Sequence, residues 1–189
     1  MIDLSYKPRI EGEKVVLRPF KEEDLSFLEE CLKDPEVLKL TGSGADFDQE
    51  SIAEWYSTRN EQTDRLDLAI EDRSQGVPVG EAVVNLYDEN KHSMNFRILI
   101  GPRGRDRGLG TEAMHLIIDY IFNKTSLNEL TLSVFEFNPR AKHVYEKLGF
   151  VVYSVDENDL EFEGGWINSI NMKLTRDNWL SRKSTDDVR

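Results

Sequence analysis

Residues 101–111 combine glycines with arginines, in the order Gly-Pro-Arg-Gly-Arg-Asp-Arg-Gly-Leu-Gly-Thr. Glycine lets the backbone approach a ligand closely, and the first N–H groups of a helix have no intrahelical acceptor. From Leu109 onward apolar residues recur at helical spacing, so a helix begins inside this segment. Arg103, Arg105 and Arg107 add positive charge. Together these features predict a phosphate-binding site at the start of a helix.

Two classes of cofactor use such a site. Gly108–Ala113 fits the dinucleotide pattern G-x-G-x-x-A, with Glu136 at the end of the next predicted strand. In a dinucleotide fold the first glycine follows the strand directly, whereas here seven residues, Pro102 among them, separate Ile100 from Gly108. The unit also occurs only once in the chain. A nicotinamide-dependent oxidoreductase is therefore the weaker alternative, and it predicts binding of NAD.

The same segment contains a second pattern, Arg105-x-x-Gly108-x-Gly110, which has the form [QR]-x-x-G-x-[GA]. A further block, Asn138-Pro-Arg-Ala-Lys-His-Val-Tyr-Glu-Lys-Leu-Gly-Phe150, follows it. With these two blocks the chain resembles the GCN5-related N-acetyltransferases, the GNAT family, over residues 79–153. Within that family it most resembles the ribosomal-protein N-terminal acetyltransferase (RimJ/RimL) branch, because Asn138–Ala141 and Met172–Trp179 are similar to its members.

The resemblance implies a reaction and a set of binding residues. In this family an amine attacks the thioester of acetyl-CoA directly, with no covalent enzyme intermediate and no metal. The strand before the loop binds the pantetheine arm through its backbone, at positions that correspond to Leu99 and Ile100. Asn138 corresponds to a second residue that binds the pantetheine arm. The pyrophosphate-binding positions correspond to Arg105, Asp106, Arg107, Gly108, Leu109, Gly110 and Thr111.

Tyr145 corresponds to the family's general acid, which protonates the leaving thiolate. The chemistry agrees, since a phenol with a reference pKa of about 10 stays protonated at neutral pH and can donate to sulfur. The structural alternative is a core aromatic residue, because Ala141, Val144 and Leu148 lie on the same predicted helix face. The family block favours the acid.

The general base is not identified by the resemblance. Many relatives carry a glutamate on the strand before the loop, and that position holds Asn95 here. Glu81 on the neighbouring strand, Glu136 near the cofactor arm, or a chain of water molecules could replace it. Asn95 also raises the alternative of an acyl-CoA-binding module without catalysis, which predicts CoA binding but no turnover.

Other reactive side chains have plainer interpretations. Glu112, His115 and Asp119 share one helix face at metal-ligand spacing, but a solvated polar face explains them better. Cys31 lies at an apolar position with acidic neighbours, which indicates a core residue rather than a nucleophile. With no histidine in an apolar setting, a Ser/His/Asp hydrolase has no support.

Composition narrows the choice of partners. The chain has 189 residues, 24 basic and 36 acidic side chains and a formal net charge of −12. Such a surface repels nucleic acid and anionic membranes and attracts amines. We therefore expect acetyl-CoA and an amine acceptor, a small molecule or a peptide N-terminus, as partners, with a homodimer as a candidate assembly. A single cysteine and no apparent leader or membrane span favour the cytoplasm.

The fold expected from periodicity and from the resemblance is α/β (α+β), a mixed and mostly antiparallel sheet flanked by helices. One domain is expected over residues 1–180, followed by a disordered polar tail at 181–189. Residues 34–49 are predicted to form a flexible loop, which in the resembling family borders the acceptor site. Its carboxylates, including Asp46 and Asp48, could bind a cationic amine. Strands are predicted at 13–20, 65–71, 79–87, 93–100, 130–134, 150–155 and 166–174.

Overall fold

A computed structural model describes residues 2–42 and 48–186 of the chain. Within these residues it contains eight strands and six α-helices. The strands are β1 (Ile10–Glu11), β2 (Val15–Arg18), β3 (Leu66–Asp72), β4 (Val77–Asp88), β5 (Ser93–Ile100), β6 (Glu129–Phe135), β7 (Val151–Phe162) and β8 (Gly165–Thr175). The helices are α1 (Leu25–Lys33), α2 (Pro35–Thr41), α3 (Gln49–Ser57), α4 (Leu109–Lys124), α5 (Pro139–Leu148) and α6 (Arg176–Asp186).

The chain divides into two compact units, the first from Met1–Leu86 and Arg97–Asn123 and the second from Tyr87–Phe96 and Lys124–Arg189. The strand order is β1-β2-β3-β4-β5-β6-β8-β7. Strand β5 contributes its second half to the first unit and its first half to the second. The expectation of one domain over residues 1–180 stays a prediction.

In the first unit, β2 pairs antiparallel with β1 and β3, and β3 pairs antiparallel with β4. Helix α1 packs on this sheet through Phe27, Leu28 and Cys31, which form a buried cluster with Phe20, Val37 and Ala69. The Glu112 carboxylate of α4 accepts hydrogen bonds from the backbone N–H groups of Lys14 and Val15, both at 2.8 Å. This helix is thereby tied to the start of β2.

In the second unit, β5 pairs parallel with β6, and β6 and β7 both pair antiparallel with β8. The Asn138 side chain caps the N-terminus of helix α5, and Gly149, which has a φ of 102°, caps its C-terminus. A left-handed C-terminal residue is strained for any side chain, so glycine is the natural choice there.

The mixed, mostly antiparallel sheet flanked by helices confirms the predicted fold class.

One local prediction was wrong: residues 35–41 form helix α2 rather than loop. Asp34 caps it by accepting the Val37 N–H at 3.0 Å, and Pro35 occupies the first turn, where its missing N–H is not needed. Asp46 of the predicted acidic loop lies outside the described residues.

Two further elements differ from expectation. The two-residue strand β1 has too few residues to show a periodic pattern. Helix α6 continues to Asp186, into the tail predicted to be disordered from residue 181, and its Trp179 is buried. In the part of the chain that the structure describes, no helix is both long and apolar enough to cross a membrane.

Candidate active site

The segment predicted to bind phosphate, Gly101–Gly108, connects β5 to α4 in the first unit and is called the phosphate loop below. Gly101 donates its N–H to the Val79 carbonyl of β4 at 2.8 Å, which fixes the start of the loop to the sheet. Residues Pro102–Gly104 form one turn of 3-10 helix. At the other end, Glu112 N–H donates to the Gly108 carbonyl at 3.2 Å. The amides of Leu109, Gly110 and Thr111 precede this bond and have no acceptor within the helix.

The glycines of this region serve two different purposes. Gly108 has a φ of 74°, and Asp106 before it has a φ of 61°, so the backbone turns through left-handed conformations where it meets α4. Gly104 and Gly110 are instead close-packed: a Cβ atom at Gly104 would lie 2.8 Å from the Val79 Cβ. A Cβ at Gly110 would lie 3.0 Å from the Ile100 Cγ1. Gly108 shapes the loop, and the other two let it lie against the sheet.

Each of the three arginines is paired with a carboxylate. Arg103 pairs with Glu30 of α1, with its Nε 3.2 Å from Oε1. Arg105 pairs with Asp34, the cap of α2, and its Nη1 lies 3.0 Å from the Glu36 Oε2. Arg107 pairs with the buried Asp72 at the end of β3.

These pairs change the interpretation of the loop. The sequence predicts three positive charges at a phosphate-binding site, whereas the structure neutralises each of them within the first unit. The pairing depresses the pKa of Asp34, chiefly through its hydrogen bond from Arg105. The backbone amides at the start of α4 are therefore the better candidates to hold a pyrophosphate, and the arginines fix the loop to α1, α2 and β3.

A cleft of about 430 Å³ opens beside Arg107 and Leu109. It is also lined by Glu13, Lys14, Asp72, Arg73 and Ser74. A Cβ added at Gly108 would lie 3.2 Å from the Lys14 ammonium. Sequence reasoning missed Lys14 and Arg73, because nothing near them in the chain indicates that the fold brings them to the phosphate loop.

The predicted pantetheine-binding strand segment is partly buried, and Leu99 packs against the buried cluster of α1. Gly80 of β4 lies against its backbone: a Cβ there would be 2.3 Å from the Leu99 carbonyl oxygen. Leu99 and Ile100 thus end a strand whose backbone runs directly into the phosphate loop.

The remaining two predicted residues lie in the second unit, where Asn138 caps α5 and Tyr145 lies on it. The Asn138 Oδ1 accepts the Ala141 N–H at 3.1 Å, so its carbonyl caps the helix and only its amide NH₂ is left for another acceptor. Tyr145 is half-buried, with its ring 5.9 Å from that of Phe150 in an edge-to-face contact. Burial raises the pKa of Tyr145 to about 12. Within residues 2–42 and 48–186 its hydroxyl makes no hydrogen bond.

Residues 14–151 match the family model described as "Acetyltransferase (GNAT) domain". The chain belongs to the GNAT acetyltransferase family. It is an acyl-CoA-dependent acetyltransferase, with acetyl-CoA as the acetyl donor, and the dinucleotide alternative is set aside. The family assignment made from the two sequence blocks is confirmed, whereas the RimJ/RimL branch and the individual site residues stay predictions.

Relatives with curated names include a spermidine N(1)-acetyltransferase from Escherichia coli (strain K12), 29% identical over 179 residues, covering 90% of this chain and 91% of that protein. An N-acetyltransferase 9-like protein from Caenorhabditis briggsae is 28% identical over 173 residues, covering 85% of this chain and 87% of its own. Among solved structures, spermidine N-acetyltransferase from Vibrio cholerae, crystallised with CoA and spermine, superposes with a TM-score of 0.81 at 21% identity. It covers 89% of this chain and 99% of its own.

The chain has two candidates for the general base, and they differ in their exposure to solvent. Glu136 is exposed and accepts the Asn168 N–H at 2.9 Å. Glu81 is 4% exposed and accepts the Tyr56 hydroxyl at 2.8 Å. Burial raises the pKa of Glu81.

The other reactive side chains find structural roles. Glu112 binds the backbone of β2, so it is not the merely solvated residue that its helix face suggested. In the described part of the chain, no group of three His, Cys, Asp or Glu side chains could hold a metal ion. Cys31 is 1% exposed, and burial raises the pKa of its thiol to about 12, which fits the predicted core position.

Proposed function

We propose that this acetyltransferase acts on a primary amine of a small polyamine, with spermidine as the first substrate to test. Two observations support the acceptor. The Escherichia coli relative, which aligns over 90% of this chain, is a spermidine N(1)-acetyltransferase. The net charge of −12 attracts a polycationic amine rather than an anionic partner.

For the donor, we propose that the matched residues have the roles that the family resemblance implies. The pyrophosphate would be held by the backbone from Arg105 to Gly110 and by Thr111. The amides of Leu109, Gly110 and Thr111 have no acceptor within the helix and lie at the positive end of its dipole, which favours an anion. Leu99 and Ile100 would bind the pantetheine arm through their backbone, and the Asn138 amide would bind it through its NH₂.

The assignment of Tyr145 rests on its hydroxyl, which makes no hydrogen bond within the described residues and has a pKa of about 12. Such a phenol is a donor throughout the neutral pH range. The reference pKa of a thiol is about 8.5, so complete proton transfer from the phenol to sulfur is uphill. Tyr145 therefore contributes most through the hydrogen bond it donates while the C–S bond breaks and charge collects on sulfur.

Replacing Tyr145 by phenylalanine removes this donor and keeps the ring that packs on Phe150. We expect Tyr145→Phe to slow release of the CoA thiol by about ten- to a thousandfold, the usual contribution of one acid group or somewhat less. The measurement is thiol release from acetyl-CoA with saturating spermidine. The matched control is Tyr153→Phe, since Tyr153 is 51% exposed on β7 and should not affect the rate. Equal rates for Tyr145→Phe and the wild-type enzyme would remove Tyr145 from the mechanism.

A peptide N-terminus is the second candidate acceptor, favoured by the Asn138-Pro-Arg-Ala block that resembles the RimJ/RimL branch. The same assay distinguishes the two when spermidine, spermine and short peptides are compared at equal concentration. A higher kcat/KM for spermidine supports the polyamine, and a higher value for a peptide contradicts it. Heat on titration with CoA, without thiol release for any amine, would indicate the non-catalytic module that Asn95 suggests.

A further inference from the structure

Glu81 lies in the middle of β4, where its backbone pairs with Ala69 of β3. A carboxylate is rarely buried unless a cation or several hydrogen bonds compensate for its lost hydration. Glu81 is 4% exposed, yet it has one hydrogen bond, from Tyr56, and its only described ion pair is long. The fold thus holds a carboxylate in an environment that favours its protonated form.

The groups around Glu81 come from four other elements. Tyr56 of α3 donates its hydroxyl to Oε2 at 2.8 Å, and Arg97 of β5 places Nη2 3.7 Å from Oε1. Asp67 of β3 opposes ionisation of Glu81, whereas Arg65, the residue before β3, favours this ionisation. The Glu81 carboxylate also helps to raise the pKa of the buried Cys31 thiol on α1. Burial outweighs the two cations, and the pKa of Glu81 rises above its ordinary value.

The location of Glu81 is close to the strand that we expect to bind the acyl donor. Its neighbour Gly80 lies against the Leu99 carbonyl oxygen. Leu99 and Tyr56, the partner of Glu81, both pack against the buried cluster that contains Phe27 and Cys31. The carboxylate, its tyrosine and the proposed pantetheine-binding backbone therefore belong to one packed region of the first unit.

We propose that Glu81 is the general base of the reaction and receives the proton of the acceptor ammonium, directly or through Tyr56. This inference rests on the proposed function. The ammonium gives one proton to Glu81, and the nitrogen lone pair then forms the C–N bond. The C–S bond breaks with its electron pair on sulfur, which takes up one proton while the nitrogen loses its second. Glu81 finally returns its proton to solvent, so each turnover releases one proton.

The environment of Glu81 suits a general base. A primary amine has a pKa near 10, so at neutral pH it arrives as an ammonium and must be deprotonated before attack. A carboxylate of ordinary pKa is a weak base for that step, and raising its pKa brings it closer to the operating pH. Asn95 cannot accept a proton. Glu136 is exposed and its carboxylate binds Asn168, so it lacks this environment.

The test is the pH dependence of kcat/KM for Glu81→Gln, which keeps the shape of the side chain and removes the base. We expect a loss of about a hundred- to ten-thousandfold at pH 7. The loss should shrink as pH rises and the amine deprotonates by itself. In the wild-type enzyme kcat/KM should rise with pH through the raised pKa of Glu81.

Tyr56→Phe should lose less activity than Glu81→Gln and should shift this rise of kcat/KM with pH. Glu54→Gln is the control, because Glu54 is exposed and lies on α3 with Tyr56, and it should have no effect.

Two further measurements separate a base from a structural residue. CoA affinity of Glu81→Gln, measured by calorimetry, should stay within about twofold of the wild-type value. Because the folded pKa of Glu81 is raised, its ionisation destabilises the folded state as pH rises above the unfolded pKa. Glu81→Gln should therefore unfold at the same or higher urea concentration at pH 7.

Each result bears on the proposal in a defined way. A Glu81→Gln enzyme with a wild-type rate, or one that loses CoA affinity and stability together, overturns the role of Glu81 while the acetyltransferase function stands. A wild-type protein that binds CoA but acetylates no amine overturns the proposed function, and this inference with it.

Discussion

The Arg103–Glu30 pair of the phosphate loop lies near solvent, whereas the Arg65–Asp67 pair of the Glu81 cluster (Tyr56, Arg65, Asp67, Glu81 and Arg97) is buried. In the loop, the side chains of Arg103 and Glu30 are 52% and 32% exposed. In the cluster, the Arg65 and Asp67 side chains are 14% and 1% exposed, with Nε 2.6 Å from Oδ2. Both are ion pairs, but water screens only the Arg103–Glu30 pair.

This difference has an energetic consequence. An exposed ion pair contributes at most about 1 kcal/mol, since water solvates its members almost as well when they are apart. Breaking a buried pair costs about 3–5 kcal/mol, because the remaining charge stays in a medium that solvates it poorly. The Arg103–Glu30 pair can therefore exchange partners at little cost, whereas the Arg65–Asp67 pair is held in one arrangement, in a cluster whose carboxylate Glu81 has a raised pKa.

The largest expected effect comes from breaking the buried pair. Asp67→Asn keeps the side-chain shape but leaves Arg65 without its counter-charge, so we expect the free energy of unfolding to fall by about 3 kcal/mol. Glu30→Gln, the equivalent change in the partner of the loop's Arg103, should lower the free energy of unfolding by about 1 kcal/mol or less. Urea unfolding at pH 7 measures both. Losses of equal size would show that the two regions do not differ in dielectric environment.

A smaller effect is expected from the loop backbone. Gly108 has a φ of 74°, and a left-handed alanine costs about 1–2 kcal/mol. We expect Gly108→Ala to weaken CoA binding by about tenfold, because its backbone conformation sets up the unpaired amides of α4. Gly164→Ala is the matched control, since Gly164 has a φ of 78° in the β7–β8 turn with open space around it. The Gly164→Ala variant should lose about as much stability as Gly108→Ala and bind CoA with wild-type affinity. Equal CoA affinity for both variants, by calorimetry, would contradict the proposed role of the loop.

The smallest effect is expected from a loop arginine. Arg103 already has a carboxylate partner, so Arg103→Gln should change the Kd for CoA by no more than about threefold, or about 0.7 kcal/mol. Calorimetry at low salt makes the comparison most sensitive, because exposed charges are screened least there. A tenfold or greater loss would mean that the guanidinium, rather than the backbone, binds the phosphates.

Much of the fold could be predicted because its signals are local. The amphipathic pattern after Leu109, the cap at Asn138 and the stop at Gly149 each lie within one element, and the structure places them as expected. Helix α2 was missed although Asp34-Pro35 signals it, because the glycines and serine that follow favoured a loop. The hairpin strand β7 reaches Phe162, well past the predicted end near Val155, because cross-strand partners on β8 extend it.

The sequence by itself determined the family, the acetyl donor and the fold class and predicted the position of the phosphate loop, since each follows from residues close together in the chain. Only the tertiary structure showed that the three loop arginines are already neutralised, that Lys14 approaches Gly108, and that Glu81 is buried against Tyr56. These facts depend on residues 25 or more positions apart, such as Tyr56 and Glu81. The pKa and the effective charge of a side chain are set by its surroundings, and folding alone decides what those are.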